Sequence, residues 1–153
     1  MIRTPTRLRL CVTLMVCNLV FIWGNSLLPG EISGALSDWL KDLVAPLLGW
    51  DQEGSGGGGL LRKVAHFTEF ACLGVCLRWF WGMLNVKRFK PFLFALGCAV
   101  AVACIDETIQ IFVPLRGPGI KDVCIDTAGA LTGIGILTLA HWLKTRSLED
   151  CKS

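Results

Sequence analysis

Four stretches of about 20 mainly apolar residues, 8–28, 64–84, 92–112 and 123–143, constrain what this chain can fold into more than any other feature. The hydrocarbon core of a bilayer is about 30 Å thick and an α-helix rises about 1.5 Å per residue, so each stretch is long enough to cross it once. Composition agrees, since 53% of the 153 residues are apolar and the mean hydropathy is +0.58, outside the range of a typical soluble domain. The expected fold is all-α: a single domain over residues 1–153, a polytopic membrane protein built as a four-transmembrane-helix bundle.

Orientation follows from the basic residues, which favour the cytoplasmic side of a membrane. Arg3, Arg7 and Arg9 precede the first stretch, Lys87, Arg88 and Lys90 separate the second and third, and Lys144, Arg146 and Lys152 follow the fourth. With Arg78 snorkelling from the inner half of the second stretch, these face only Lys41, Arg62, Lys63, Arg116 and Lys121 in the other two connections. Both termini are therefore expected in the cytoplasm, with Trp79, Trp81 and Trp142 near the inner interface. The first stretch is also open to reading as a cleavable signal peptide, because a basic start and an apolar run are common to both, although no clean A-x-A site follows.

The net charge of +3 is modest and its basic residues sit in short clusters at stretch edges, which argues against nucleic acid as a partner. The eight cysteines lie mostly inside the apolar stretches, among them Cys11, Cys17, Cys72, Cys76, Cys98 and Cys104, rather than in loops at ligand spacing. They read as small packing residues. Between the first two stretches, Ile32, Leu36, Trp39, Leu40, Leu43, Leu47 and Leu48 recur at helical spacing, which predicts an amphipathic helix on the outer surface or capping the bundle. Residues 54–59, Gly-Ser-Gly-Gly-Gly-Gly, read as a flexible linker and lack the Lys-Ser/Thr ending of a phosphate-binding loop.

Ionisable residues interrupt the last three stretches, and such residues generally face a bundle interior or a cavity. At about 1.5 Å per residue, His66 and Glu69 lie roughly 5–9 Å below Lys63, Asp106 and Glu107 a similar distance below Phe112, and Asp126 about 6 Å below Asp122. Three helices thus deliver polar groups to one layer beneath the outer surface. His66 and Glu69, three apart, share a helix face, as do Asp122 and Asp126, four apart, while Gln110 falls in angle between Asp106 and Glu107. Gly129 and Gly133 continue the Asp122–Asp126 face and suit close helix approach. Five carboxylates against His66 require neutralisation, by Arg62, Arg116 or Lys121 from the rim, by protonation, or by a divalent cation, although no cofactor is otherwise indicated.

Three segments carry a resemblance. Lys63-Val-Ala-His66-Phe67, then Asp106-Glu107-Thr-Ile-Gln110-Ile-Phe112-Val-Pro114-Leu-Arg116, then Asp122-Val-Cys-Ile-Asp126-Thr-Ala-Gly129 resemble the K-x-x-H-F, D-E-x-x-Q-x-F-x-P-x-R and D-x-x-x-N-x-x-G segments of the VanZ-like family of bacterial membrane proteins. Asn25-Ser26-Leu-Leu-Pro29-Gly30 and Ser33 are similar to that family's Ser-rich segment after the first span. Asp126 stands where the pattern has Asn, and Leu115 where a Gly commonly precedes the Arg. The resemblance implies a bacterial cytoplasmic membrane and a cell-envelope role, with a link to resistance against the antibiotic teicoplanin through the founding member.

Three functions are open to such a chain. In the first, the outward layer binds a membrane lipid phosphate or a lipid-linked envelope precursor, with Lys63, Gln110, Arg116, Asp122 and Asp126 as ligand-binding residues and Arg116 recognising the anion. In the second, a hydrolase or phosphoryl-transfer enzyme uses His66, Glu69, Asp106 and Glu107 as its catalytic groups. No zinc HExxH and no marked Ser or Cys nucleophile accompanies them. The third is a proton-coupled transporter, which a chain this short would support as an oligomer or with a partner.

Overall fold

The computed structural model describes residues 5–48, 57–84, 90–117 and 119–150. Among them the chain forms five α-helices and no strand: α1 Pro5–Ser26, α2 Gly30–Leu48, α3 Gly57–Met83, α4 Lys90–Ile111 and α5 Ile120–Asp150. The all-helical expectation holds, and α1, α3, α4 and α5 fall on the four apolar stretches. Three helical segments are long and apolar enough to cross a membrane, Pro5–Ser26, Lys90–Ile111 and Ile120–Ser147. Of the two helices outside that class, α2 and α3, the second has the length at 27 residues but carries Arg62, Lys63, His66, Glu69 and Arg78, which dilute its apolar content.

Two boundaries differ from the sequence expectation. Of the proposed linker 54–59, residues 54–56 lie outside the described residues, while Gly57–Gly59 belong to α3. Each added residue of a formed helix gains a backbone hydrogen bond, which offsets the roughly 1 kcal/mol helix penalty of a glycine. The connection 85–89 between α3 and α4 lies outside the described residues, as do Arg3 and Lys152.

The helix expected between the first two stretches is present as α2. Its Ile32, Leu36, Trp39 and Leu43, at helical spacing, all remain exposed, so α2 keeps an apolar stripe unburied.

The organising helix is α3, which packs against each of the other four. Its closest partner is α5, and the cause is glycine. A Cβ on Gly129 would collide with the carbonyl of Phe67, one on Gly133 with that of Ala71, and one on Gly74 of α3 with that of Ala130. The two backbones therefore touch directly, as small residues four apart permit in membranes. On α4 the same economy of volume comes from Ala95, Ala99 and Ala103, each fully buried on one face. Phe70, Leu73, Leu77, Ile22, Ala130 and Ile134 complete the core.

Below this core, Arg78 donates from Nε to Thr138 Oγ1 at 3.0 Å, so it is held by α5. Arg146 stacks on the Trp142 ring at 4.3 Å from its centroid. The seven cysteines among the described residues are free; Cys11 is buried, while Cys17, Cys72, Cys104 and Cys124 face outward, so most do not pack in the core as expected.

Candidate functional site

The polar layer forms where α1 and α4 end and α3 and α5 begin. On α4 the alanine face runs without a break into Asp106, Glu107 and Gln110, all buried. His66 and Glu69 enter from α3 and Asp126 from α5, and all three are buried as well. The sequence expectation that these side chains converge is met: His66 Nδ1 lies 3.7 Å from Asp126 Oδ1 and 4.0 Å from Asp106 Oδ2.

The hydrogen bonds brace one side of each group. Asp106 Oδ2 accepts from Ser26 Oγ at 2.8 Å and from Gln110 Nε2 at 3.0 Å. Glu69 Oε1 accepts from Asn25 Nδ2 at 3.2 Å. Glu107 Oε2 accepts from the Gly119 backbone N–H at 2.8 Å, which ties α4 to the turn before α5. Other atoms have no hydrogen-bond partner among the described residues: His66 Nδ1, Glu69 Oε2, Asp106 Oδ1 and both carboxylate oxygens of Asp126. A buried polar atom left without a partner costs about 1–3 kcal/mol, more when charged, so a cluster of five is a marked departure from ordinary packing.

Arg116 is braced by the backbone. It is buried at 8% exposure, and it donates to the carbonyls at the end of α1, from Nη2 to Asn25 at 2.6 Å and from Nε to Leu28 at 3.1 Å. Those carbonyls lie where α1 stops, and a guanidinium fork reaches both at once, that of Asn25 also accepting the Leu28 N–H at 3.2 Å. Burial, and then repulsion from Arg62, lower its pKa from the ordinary value, though a guanidinium keeps its proton in proteins. The same turn is fixed by Gly30, whose N–H donates to Pro114 at 3.1 Å and whose Cα lies against the Leu115 carbonyl. Leu115 has a φ of 58°, the left-handed region where a Gly commonly stands in the resembling pattern.

Neutralisation of the carboxylates by rim cations is not found: Arg62, Arg116 and Lys121 stay outside salt-bridge range, and the ion-pair contacts of Asp106 and Asp126 are with His66. Lys63 and Lys121 are exposed at the rim and Arg62 is half-buried there. Asp122 sits half-buried in the first turn of α5, where a carboxylate favours the helix dipole. Arg62, Lys63, His66, Glu107, Gln110, Asp122 and Asp126 line a cavity of about 10 Å³, room for about one water-sized sphere.

A second, larger cavity of about 780 Å³ lies between α1, α2 and α3. Its walls are apolar, among them Val20, Phe21, Leu36 and Leu40, and Asn25, Arg62 and Glu69 form its polar end. The sequence reading did not place Asn25 or Ser26 in the site. Their signal was available as two adjacent polar residues closing an otherwise apolar stretch.

No curated protein and no solved structure matches this chain. The VanZ/LLP1 family model matches residues 10–141, which takes in the whole polar layer, the α1 end that braces it and the glycine seam beneath it. With most of the chain matched, this protein belongs to the VanZ/LLP1 family.

Proposed function

We propose that this protein is a four-span protein of the bacterial cytoplasmic membrane, with both termini in the cytoplasm, that binds a lipid-linked phosphate of the cell envelope at its outward polar layer. Under this reading α3 is the fourth span: its His66 and Glu69 turn into the bundle, where intramembrane charges are tolerated, while Arg62 and Lys63 stay at the rim. The exposed apolar stripe of α2 rests in the outer interfacial region.

The observation that carries the reading is the cavity between α1, α2 and α3. Its volume is within the range of small-molecule sites, its walls suit a hydrocarbon chain, and its polar end lies at the Asn25–Glu69 pair beside Arg62. Arg116 spends Nε and Nη2 on backbone carbonyls and keeps only Nη1 without a partner, so the phosphate contact falls chiefly to Arg62, with Lys63 and Lys121 at the rim. An envelope role of this kind would underlie any contribution to glycopeptide tolerance.

Retention of a polyprenyl phosphate by the detergent-purified protein, read by native mass spectrometry, tests this. Gly24 lines the cavity and a Cβ there meets nothing within 4 Å, so Gly24→Leu fills the space without displacing a neighbour. Gly24→Leu and Arg62→Ala are each expected to reduce retention. Unchanged retention in both sinks the proposal.

A second reading, a hydrolase or phosphoryl-transfer enzyme, draws support from His66 standing between two carboxylates with unpartnered atoms. Turnover of the same lipid phosphate, abolished by His66→Gln, would favour it over binding alone. The transporter reading has no such observation behind it.

A further inference from the structure

The buried atoms that face one another in the polar layer are all of one kind. Asp126 is 1% exposed and both its oxygens lack a hydrogen-bond partner among the described residues; Asp106 is 0% exposed and its Oδ1 lacks one; His66 Nδ1 lacks one also. Carboxylate oxygens are acceptors, and so is His66 Nδ1 when the ring proton sits on Nε2; acceptors cannot satisfy one another. A single water offers two hydrogens, too few for these four atoms, and it brings no charge to balance two carboxylates at membrane depth.

We propose that His66, Asp106 and Asp126 form a binding site for one divalent transition cation of the Mn²⁺ or Zn²⁺ class. One ligand atom from each residue lies within 4.8 Å of the others, so all three lie within about 2.8 Å of a common point. Bonds from such ions to imidazole nitrogen and carboxylate oxygen are about 2.0–2.2 Å, and a side-chain adjustment of somewhat more than half an ångström closes the shell. One dication neutralises the two carboxylates. The imidazole selects against Mg²⁺ and Ca²⁺, which take oxygen ligands.

Two further features fit. Ser26 and Gln110 hold Asp106 Oδ2, the oxygen 4.0 Å from His66 Nδ1, and so fix the carboxylate as outer hydrogen bonds fix a ligating one. The cavity of about 10 Å³ that touches His66 and Asp126 supplies room for a water to complete the coordination. The inference rests on reading this layer as a ligand-binding site, and it names the ion held there.

The test uses the full-length protein in detergent, stripped with a chelator and titrated with Mn²⁺, whose six-line resonance in solution disappears on binding. Mn²⁺ is chosen because the free cysteines would capture softer ions. One Mn²⁺ per chain is expected, with a rise in thermal midpoint. Asp126→Asn and His66→Gln should each weaken binding at least about tenfold, whereas His141→Ala, on the exposed far end of α5, should not. Folded wild-type protein that binds neither Mn²⁺ nor Zn²⁺ overturns the proposal whether or not the variants fold, and so does wild-type affinity in Asp126→Asn. Lipid retention is read on the same samples. Lipid held without metal defeats this inference alone, and metal held without lipid defeats the lipid reading alone.

Discussion

Ser26 and Asp106, 80 residues apart in sequence, meet through a buried 2.8 Å hydrogen bond that joins the end of α1 to the polar turn of α4. Ser26→Ala removes this donor and leaves Gln110 as the remaining brace on Asp106 Oδ2. A stability loss of about 1–2 kcal/mol is expected, because the acceptor is a buried carboxyl group. Thermal denaturation in detergent checks it, and a loss below about 0.5 kcal/mol would mean that Gln110 alone suffices.

Along α5, two glycines two residues apart should respond in opposite ways. Gly133→Ala forces a methyl into the Ala71 carbonyl of α3 and should cost about 2–3 kcal/mol. Gly135→Ala meets nothing within 4 Å and should be neutral or stabilising by up to about 1 kcal/mol through helix propensity. Equal effects in the two variants would contradict the direct backbone contact between α3 and α5.

Arg116→Lys tests whether a planar fork is required where α1 ends. A lysine carries a single ammonium and cannot reproduce the geometry in which Nε reaches Leu28 and Nη2 reaches Asn25. The variant should lose about 1–2 kcal/mol, and Arg116→Ala more. Wild-type stability in Arg116→Lys would show that charge alone serves this position.

The isosteric amides Glu69→Gln, Asp106→Asn and Glu107→Gln separate structural from functional need. Each amide oxygen can still accept the bond now made by Asn25, by Ser26 and Gln110, or by the Gly119 N–H. Stability should stay within about 1 kcal/mol of wild type in at least two of the three, with lipid retention or glycopeptide tolerance lost. Parallel loss of stability and function in all three would mark the layer as structural.

Membrane topology has its own measurement. A reporter fused after Ser153 and active only in the cytoplasm should be active, because most of the basic residues lie around the start of α1, the end of α5 and the stretch of sequence between α3 and α4. Activity confined to an external reporter would invert the proposed orientation.

Much of this arrangement was legible in the sequence, for identifiable reasons. Length and hydropathy located the four long helices, the spacing of Ile32, Leu36, Trp39 and Leu43 located α2, and depth counting brought His66, Glu69, Asp106, Glu107 and Asp126 to one level. Helical rise is regular enough for that count to work. The bonds of Arg116 to the Asn25 and Leu28 carbonyls were not legible, because a backbone acceptor has no signature in residue type. Asn25 and Ser26 escaped notice as site residues because they sit in a short polar segment that reads equally as a helix end. The entry of Gly57–Gly59 into α3 was hidden by composition, since a glycine run carries no helical pattern.

The glycine contacts between α3 and α5 have a mechanical consequence for the triad above them. His66 is adjacent to Phe67 and Asp126 is one turn from Gly129, so both side chains are mounted beside a point where the two main chains already touch and cannot close further. Their separation is a fixed gauge, set by backbone rather than by side chains that could repack. Asp106 stands on α4, whose buried face is alanine methyls, and is steadied by Ser26 and Gln110. Of the three arms, two are set by main chain against main chain and the third by hydrogen bonds.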